Sequence, residues 1–116
     1  MIVPGKDLSF PKTCRIQQKK DFEYLREQSK KSFVPPLVVY SKPSRLGLSH
    51  ARLGLAVSSK QGNSVRRNRL KRILREEFRH SERRHELPLD LLVVTAQGVT
   101  DEQQLRATLR KILTQL

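Results

Sequence analysis

Leu70, Ile73, Leu74 and Phe78 recur at the three- and four-residue spacing that lines one side of a helix, and the run SVRRNRLKRILREEFR around them predicts a helix from Ser64 or Val65 to about His80. Gly62, Asn63 and Ser64 break the preceding pattern and supply its N-cap candidates. A shorter amphipathic helix is expected from about Gln18 to Gln28, where Phe22 and Leu25, with Tyr24 beside them, sit among charged residues. FVPPLVVYS and SHARLGLAVSS, separated by the loop-like KPSRLGL, read as a pair of strands. In the second, bulky Leu53, Leu55 and Val57 alternate with Arg52, Gly54 and Ala56, so one face is small enough for a helix or a ligand to approach closely. DLLVVTA, Asp90 to Ala96, is apolar on both faces and should be a central strand. Thr100 and Gln103 form a capping box ahead of a closing helix whose Leu105, Leu109, Ile112, Leu113 and Leu116 share a face.

The order helix, strands, helix, strand, helix predicts an α+β fold, a sheet layered with helices. At 116 residues the chain suits one domain spanning 1–116, with residues 1–10 an extended or flexible lead-in marked by Pro4 and Gly5. There is no signal-like apolar run at the start and no stretch of membrane-spanning length, so a soluble cytoplasmic protein is expected, with no membrane partner. Cys14 is the only cysteine, which excludes an internal disulfide framework. His50, His80 and His85 form no zinc-binding pattern, and no metal site is expected on the protein.

Charge changes the picture more than composition does. The net charge is +13. Residues 1–59 carry +7, residues 60–84 another +7 and residues 85–116 carry −1, so a polyanion should meet the first 84 residues. Seven of the sixteen residues from Ser64 to Arg79 are Arg or Lys. Around the helix axis Asn68, Lys71, Arg72, Arg75 and Arg79 gather opposite the apolar face as a stripe about three turns long. Within the helix only Glu76 and Glu77 can offset it, and Glu76 can reach Arg72 or Arg79 for ~0.2–0.5 kcal/mol per pair, while Lys71–Arg75 and Arg75–Arg79 repel by similar amounts. A phosphate-bearing partner removes that conflict, and the planar arginine fork suits phosphate better than lysine. The helix lies between two strands and not in a helix-turn-helix frame, which favours RNA over duplex DNA. The carboxylates are scattered, with no cluster able to hold two metal ions ~4 Å apart, so no catalytic residue is assigned.

The segment RLGLAVSSKQGNSVRRNRLKRILREEFR, Arg52 to Arg79, resembles the signature of the bacterial ribonuclease P protein subunit: Arg67-Asn68-Arg69, then Lys71-Arg72, then Arg75-Glu76. FPKTCRIQQKKDF and HELPLDLLVV are similar to flanking segments of that family, and the likeness runs from about Phe10 to the end. Ser59 stands where a second lysine is common in the family, and Ser64 where alanine is usual.

The resemblance implies a two-layer fold of order α-β-β-(β)-α-β-α, like domain 2 of ribosomal protein S5. The basic helix would be carried in a left-handed β-α-β crossover, with an extra strand that the pattern does not place. It implies the protein subunit of an endoribonuclease that removes the 5′ leader of precursor tRNA. One protein would pair with one ribonuclease P RNA, which holds the catalytic Mg2+. It assigns Lys60, Arg66, Arg67 and Arg69, with the helix stripe, to the RNA subunit. A cleft between the first helix and the sheet would hold the single-stranded leader, and its matching aromatics are Phe22 and Tyr40. Lys12 and Arg15, near the start of that helix, could reach leader phosphates. A ribosomal or RNA-chaperone protein using the same helix without processing tRNA is the alternative, and a DNA-binding regulator a more distant one.

Overall fold

A computed structural model describes Arg15, Ile16 and residues 18–116. Three α-helices, α1 (Lys19–Arg26), α2 (Ser64–His80) and α3 (Glu102–Gln115), accompany four strands, β1 (Lys30–Val34), β2 (Leu37–Pro43), β3 (Arg52–Ala56) and β4 (Leu89–Thr95). Short 3-10 turns, Ser59–Gln61 and Glu82–His85, flank α2. No helix among the described residues is long and apolar enough to cross a membrane.

The strands form one sheet in the order β1-β2-β4-β3. β1 and β2 are an antiparallel hairpin turning at Pro35 and Pro36, joined by a cis peptide bond. Proline offers no N–H to a ladder, so the pair sits where pairing must stop. β4 runs antiparallel to β2 and parallel to β3. The parallel β3–β4 pair is bridged by α2, in agreement with the crossover that the resemblance implies.

Period-2 alternation divides the sheet into two faces. On one, Leu37, Val39, Leu53, Leu91 and Val93 meet Leu70, Ile73, Leu74 and Phe78 of α2 and Leu105, Leu109, Ile112 and Leu113 of α3. Burying each such side chain contributes ~1.5–3 kcal/mol, and this face is the main core. On the other, a smaller cluster of Ile16, Leu25 and Leu92, with Phe22, Tyr24, Tyr40 and Val94 around it, seats α1.

Three expectations need correction. The segments FVPPLVVYS and SHARLGLAVSS do not pair with each other, because β4 lies between β2 and β3. FVPPLVVYS itself is divided at Pro35–Pro36, and its first part belongs to β1, the additional strand that the pattern left unplaced. The cap of α3 is Asp101 and not Thr100: its Oδ1 accepts from the Gln103 and Gln104 amides at 2.9 and 3.4 Å. A carboxylate at a helix N-terminus also gains from the dipole, which a threonine hydroxyl does not.

The expectation that β4 is central holds, as does the span of α2. α1 is shorter than expected. The small face of β3 is covered by helix packing: a Cβ on Gly54 would lie 3.0 Å from Phe22 Cε1 and 3.2 Å from Ile16 Cβ.

Candidate nucleic-acid interface

The approach to α2 is tied down before its first basic residue. Ser58 accepts from the Lys60 amide at 3.0 Å, Gly62 turns the chain at φ 127°, and Asn63 caps the helix by accepting from the Arg66 amide at 3.0 Å. Buried Gln61 donates to Gln97 O at 2.7 Å and accepts from the Val99 amide at 2.9 Å. Arg66 Nη2 donates to Val99 O at 2.5 Å. These bonds fix the segment carrying Lys60, Arg66 and Arg67 against the loop that leads into α3.

Along α2, Asn68, Arg69, Arg72 and Arg75 are exposed, as is Lys60 ahead of it, while Arg66, Arg67, Lys71 and Arg79 are half-buried. Glu76 takes Arg72 at 3.1 Å and also Arg106 of α3 at 3.4 Å. Helix α3 brings an acid that reading α2 alone misses: Glu102 grips Arg69 through two bonds, Nη2 to Oε1 at 2.9 Å and a shorter one from Nε. Glu77 in turn takes Arg110 at 2.6 Å. The Arg72 bond holds the Glu76 carboxyl below its ordinary range, and the Arg69 bond does the same for Glu102. Among the described residues Lys60, Arg67, Lys71, Arg75 and Arg79 make no ion pair with a carboxylate. Helix α2 therefore keeps an excess of positive charge, smaller than its own sequence suggests because Glu102 of α3 engages Arg69.

Arg15 joins this side. Residues 15 and 16 run parallel to β3 along its outer edge, with the Ile16 amide donating to Leu53 O at 2.9 Å. Successive side chains on an extended segment point oppositely. Ile16 enters the α1 cluster, while Arg15 lines a groove of about 410 Å³ with Arg72, Arg75, Glu76 and Arg79. Phe22 and Tyr40 lie together in the α1 cluster, so the structure does not bring Arg15 into their company. Lys12 lies outside the described residues.

On the α1 face, strand register arranges the side chains in rows. Lys42, Asp90 and Arg52 form the first, and Lys31, Tyr40, Leu92 and Gly54 the second. Phe22 lies against Gly54 in the second row, and the half-exposed Tyr40 has Lys31 Nζ 5.9 Å from its ring centre. The first row is a buried ionic cluster that sequence reading missed. Arg52, 5% exposed, is bidentate on Asp90 at 2.9 and 2.8 Å and reaches Asp21 of α1 at 3.0 Å. Arg45 adds 2.6 Å to Asp21. The Asp90 bonds raise the Arg52 guanidinium above its ordinary range. Burial pushes Asp21 up, but the bonds from Arg52 and Arg45 outweigh it and leave the carboxyl below its ordinary value of 3.8.

An eight-residue helix is not stable alone in water, so α1 needs such latches. At its other end Lys42 Nζ donates to Tyr24 O at 3.0 Å and Glu27 O at 2.8 Å, and lies 3.9 Å from the centre of the Tyr24 ring. Tyr24 OH donates to Pro43 O at 2.6 Å. Phe22 is thus carried on a helix held at both ends over a sheet that supplies Tyr40.

Among the described residues no group of three or more His, Cys, Asp or Glu is placed to hold a metal ion. The arrangement offers a cationic face and an aromatic face on opposite sides of one sheet.

Residues 10–116 match the family model described as Ribonuclease P. A ribonuclease P protein component from Photorhabdus laumondii is 35% identical over 96 residues, covering 81% of this chain and 77% of the relative. One from Staphylococcus carnosus is 36% identical over 91 residues, covering 78% and 76%. The Staphylococcus aureus RNase P protein superposes with a TM-score of 0.74 at 32% identity, covering 87% of this chain and 93% of that one. The Thermotoga maritima protein gives 0.76 at 27% identity, covering 88% and 96%.

Proposed function

The chain belongs to the ribonuclease P protein family, and from that premise we propose that it grips two RNAs from opposite sides of its sheet. The α2 face binds the ribonuclease P RNA, and the α1 face binds the 5′ leader of precursor tRNA. The observation that carries this reading is the separation of the two surfaces by the sheet. Lys60, Arg66, Arg67, Asn68, Arg69, Lys71, Arg72, Arg75 and Arg79 lie on or just ahead of α2, while Phe22 lies on α1 and Tyr40 on the sheet face that α1 covers. Arginines contact phosphates of a folded RNA without reading bases, and aromatic rings accept any unpaired base, which suits a substrate whose leaders differ.

Arg15, lying among Arg72, Arg75 and Arg79, goes with the RNA-subunit surface by position. Lys12 is kept as a contact to leader phosphates. Cleavage itself belongs to the RNA subunit and its Mg2+ ions, in a cytoplasmic ribonucleoprotein of one RNA and one protein. In support, Asp21, Asp90, Glu76, Glu77 and Glu102 are each engaged by arginine, an arrangement that neutralises carboxylates instead of presenting them to a metal. A ribosomal or chaperone role would use the α2 face alone and leave the aromatic face without a purpose.

Tyr40→Ala tests the division of labour. Loss of one stacked base is expected to weaken precursor tRNA binding to the holoenzyme by ~1–3 kcal/mol and to leave mature tRNA binding unchanged. The ratio of the two affinities, measured in one salt with assembly verified, reads this directly. An unchanged ratio returns Tyr40 to packing. Phe22→Ala is a poorer probe, because Phe22 also packs α1 onto Gly54 and its loss costs folding stability.

A further inference from the structure

A third row follows the two already described on the α1 face: Phe33 of β1, Val38 of β2, Val94 of β4 and Ala56 of β3. Helix α1 secures the first row through Asp21 and the second through Phe22, but the third is left open at both ends. Phe33 is 54% exposed, Ala56 is exposed and Val94 part-exposed, with only Val38 buried between them. Neither this row nor the Lys31–Tyr40–Leu92–Gly54 row contains an acidic residue.

Phe33 and Tyr40 are diagonal neighbours across the hairpin, which places them ~7–8 Å apart, with Lys31 beside both. An exposed aromatic ring, a second ring one diagonal away and a lysine flanking them form a repeating platform for bases and a cation for the phosphate between them.

We propose that this third row is a second stacking position for single-stranded RNA. It continues the track of Phe22 and Tyr40 to the β1 edge, with Phe33 as its stacking ring and Lys31 as its phosphate contact. The inference rests on the leader-binding reading above and extends it to leader nucleotides beyond those that Tyr40 meets. Charge selects RNA over a second copy of the chain: Lys30 and Lys31 lie exposed on the β1 edge, and edge lysines oppose pairing with another strand.

The test uses the holoenzyme reconstituted with a ribonuclease P RNA and precursor tRNAs whose leaders grow from one to about ten nucleotides. Wild-type affinity is expected to rise with leader length to a plateau. Phe33→Ala should follow wild type for short leaders, level off earlier and lose about five-fold or more on the longest. Phe33→Tyr should restore the wild-type curve, and Lys31→Ala should weaken the salt dependence for long leaders only. If Phe33→Ala and wild type superimpose at every length while wild type still gains with length, the third row is not part of the track and the leader reading stands. If wild type gains nothing from leader length, the leader reading fails and the extension falls with it. A Phe33→Ala protein that changes sedimentation but not the leader curve identifies the row as a contact between copies and overturns the proposal. A loss equal at all lengths with a lowered melting temperature assigns Phe33 to packing and overturns it likewise.

Discussion

Replacing Arg72 and Arg75 together with alanine is expected to weaken assembly with the ribonuclease P RNA and to reduce the salt dependence of that assembly. Each phosphate contact contributes roughly 0.7 to 0.9 to the slope of log affinity against log salt, so two lost contacts flatten it by roughly 1.4 to 1.8. The effect of Arg72 should exceed its own charge, because Glu76 would then face the RNA with only Arg106 beside it. Folding should survive. Both side chains are exposed, and the residues that anchor α2, Leu70, Ile73, Leu74 and Phe78, lie on the opposite side. Titrations across a range of salt concentrations give the slope, and circular dichroism checks the fold. An unchanged slope, or an unfolded variant, would contradict the assignment of the two faces.

Arg52→Met is expected to have the larger effect on stability. It leaves Asp21 and Asp90, 2% and 0% exposed, without the guanidinium that holds both, and removing one partner of a buried ion pair costs ~3–5 kcal/mol. Arg45 keeps part of the Asp21 interaction and should hold the loss towards the lower end. The deficit should depend on pH with a definite sign. Because the folded pKa of Asp21 is depressed, its contribution is present above the ordinary carboxylate value of 3.8 and is lost as pH falls through the lower folded value. The gap between wild type and Arg52→Met should therefore narrow in acid. Denaturant melts at neutral pH and below pH 4 measure both, and a gap that widens in acid would contradict the cluster as described.

Helix α2 was legible because its apolar face and its cationic stripe obey one period, so the same wheel predicts what it packs against and what it presents. β4 was legible as central because an apolar run with no polar face must be covered on both sides. β1 was not: KKSFV is an edge strand, paired on one side, and its exposed lysines and Phe33 give no burial pattern to read. The misplaced pairing of β2 with β3 came from chain proximity, which the parallel insertion of β4 overrides.

For the interface, local spacing revealed the stripe but not its counter-charge, since Glu102 reaches Arg69 from 33 residues away. The Arg52 cluster joins residues 31 and 38 positions apart, and Arg52 sits in a strand where alternation alone assigns it to a small-residue face. No local pattern marks such a cluster. Burial of an arginine inside a strand becomes intelligible only when the two aspartates arrive from α1 and β4. Phe22 shows the same dependence, because its role as the cover of Gly54 follows from where Ile16 and α1 lie.

On the proposed reading this chain assists an RNA catalyst and does not itself cleave. Its net charge of +13 can offset phosphate repulsion that magnesium would otherwise have to screen. The decisive measurement is cleavage of a precursor tRNA at low magnesium by the protein alone, by a ribonuclease P RNA alone and by the two together. If that reading holds, the protein alone cleaves nothing, the RNA alone cleaves slowly, and the pair cleaves fast at the mature 5′ end. Specific cleavage at that position by RNA-free protein, or no gain when protein is added to the RNA, would contradict it.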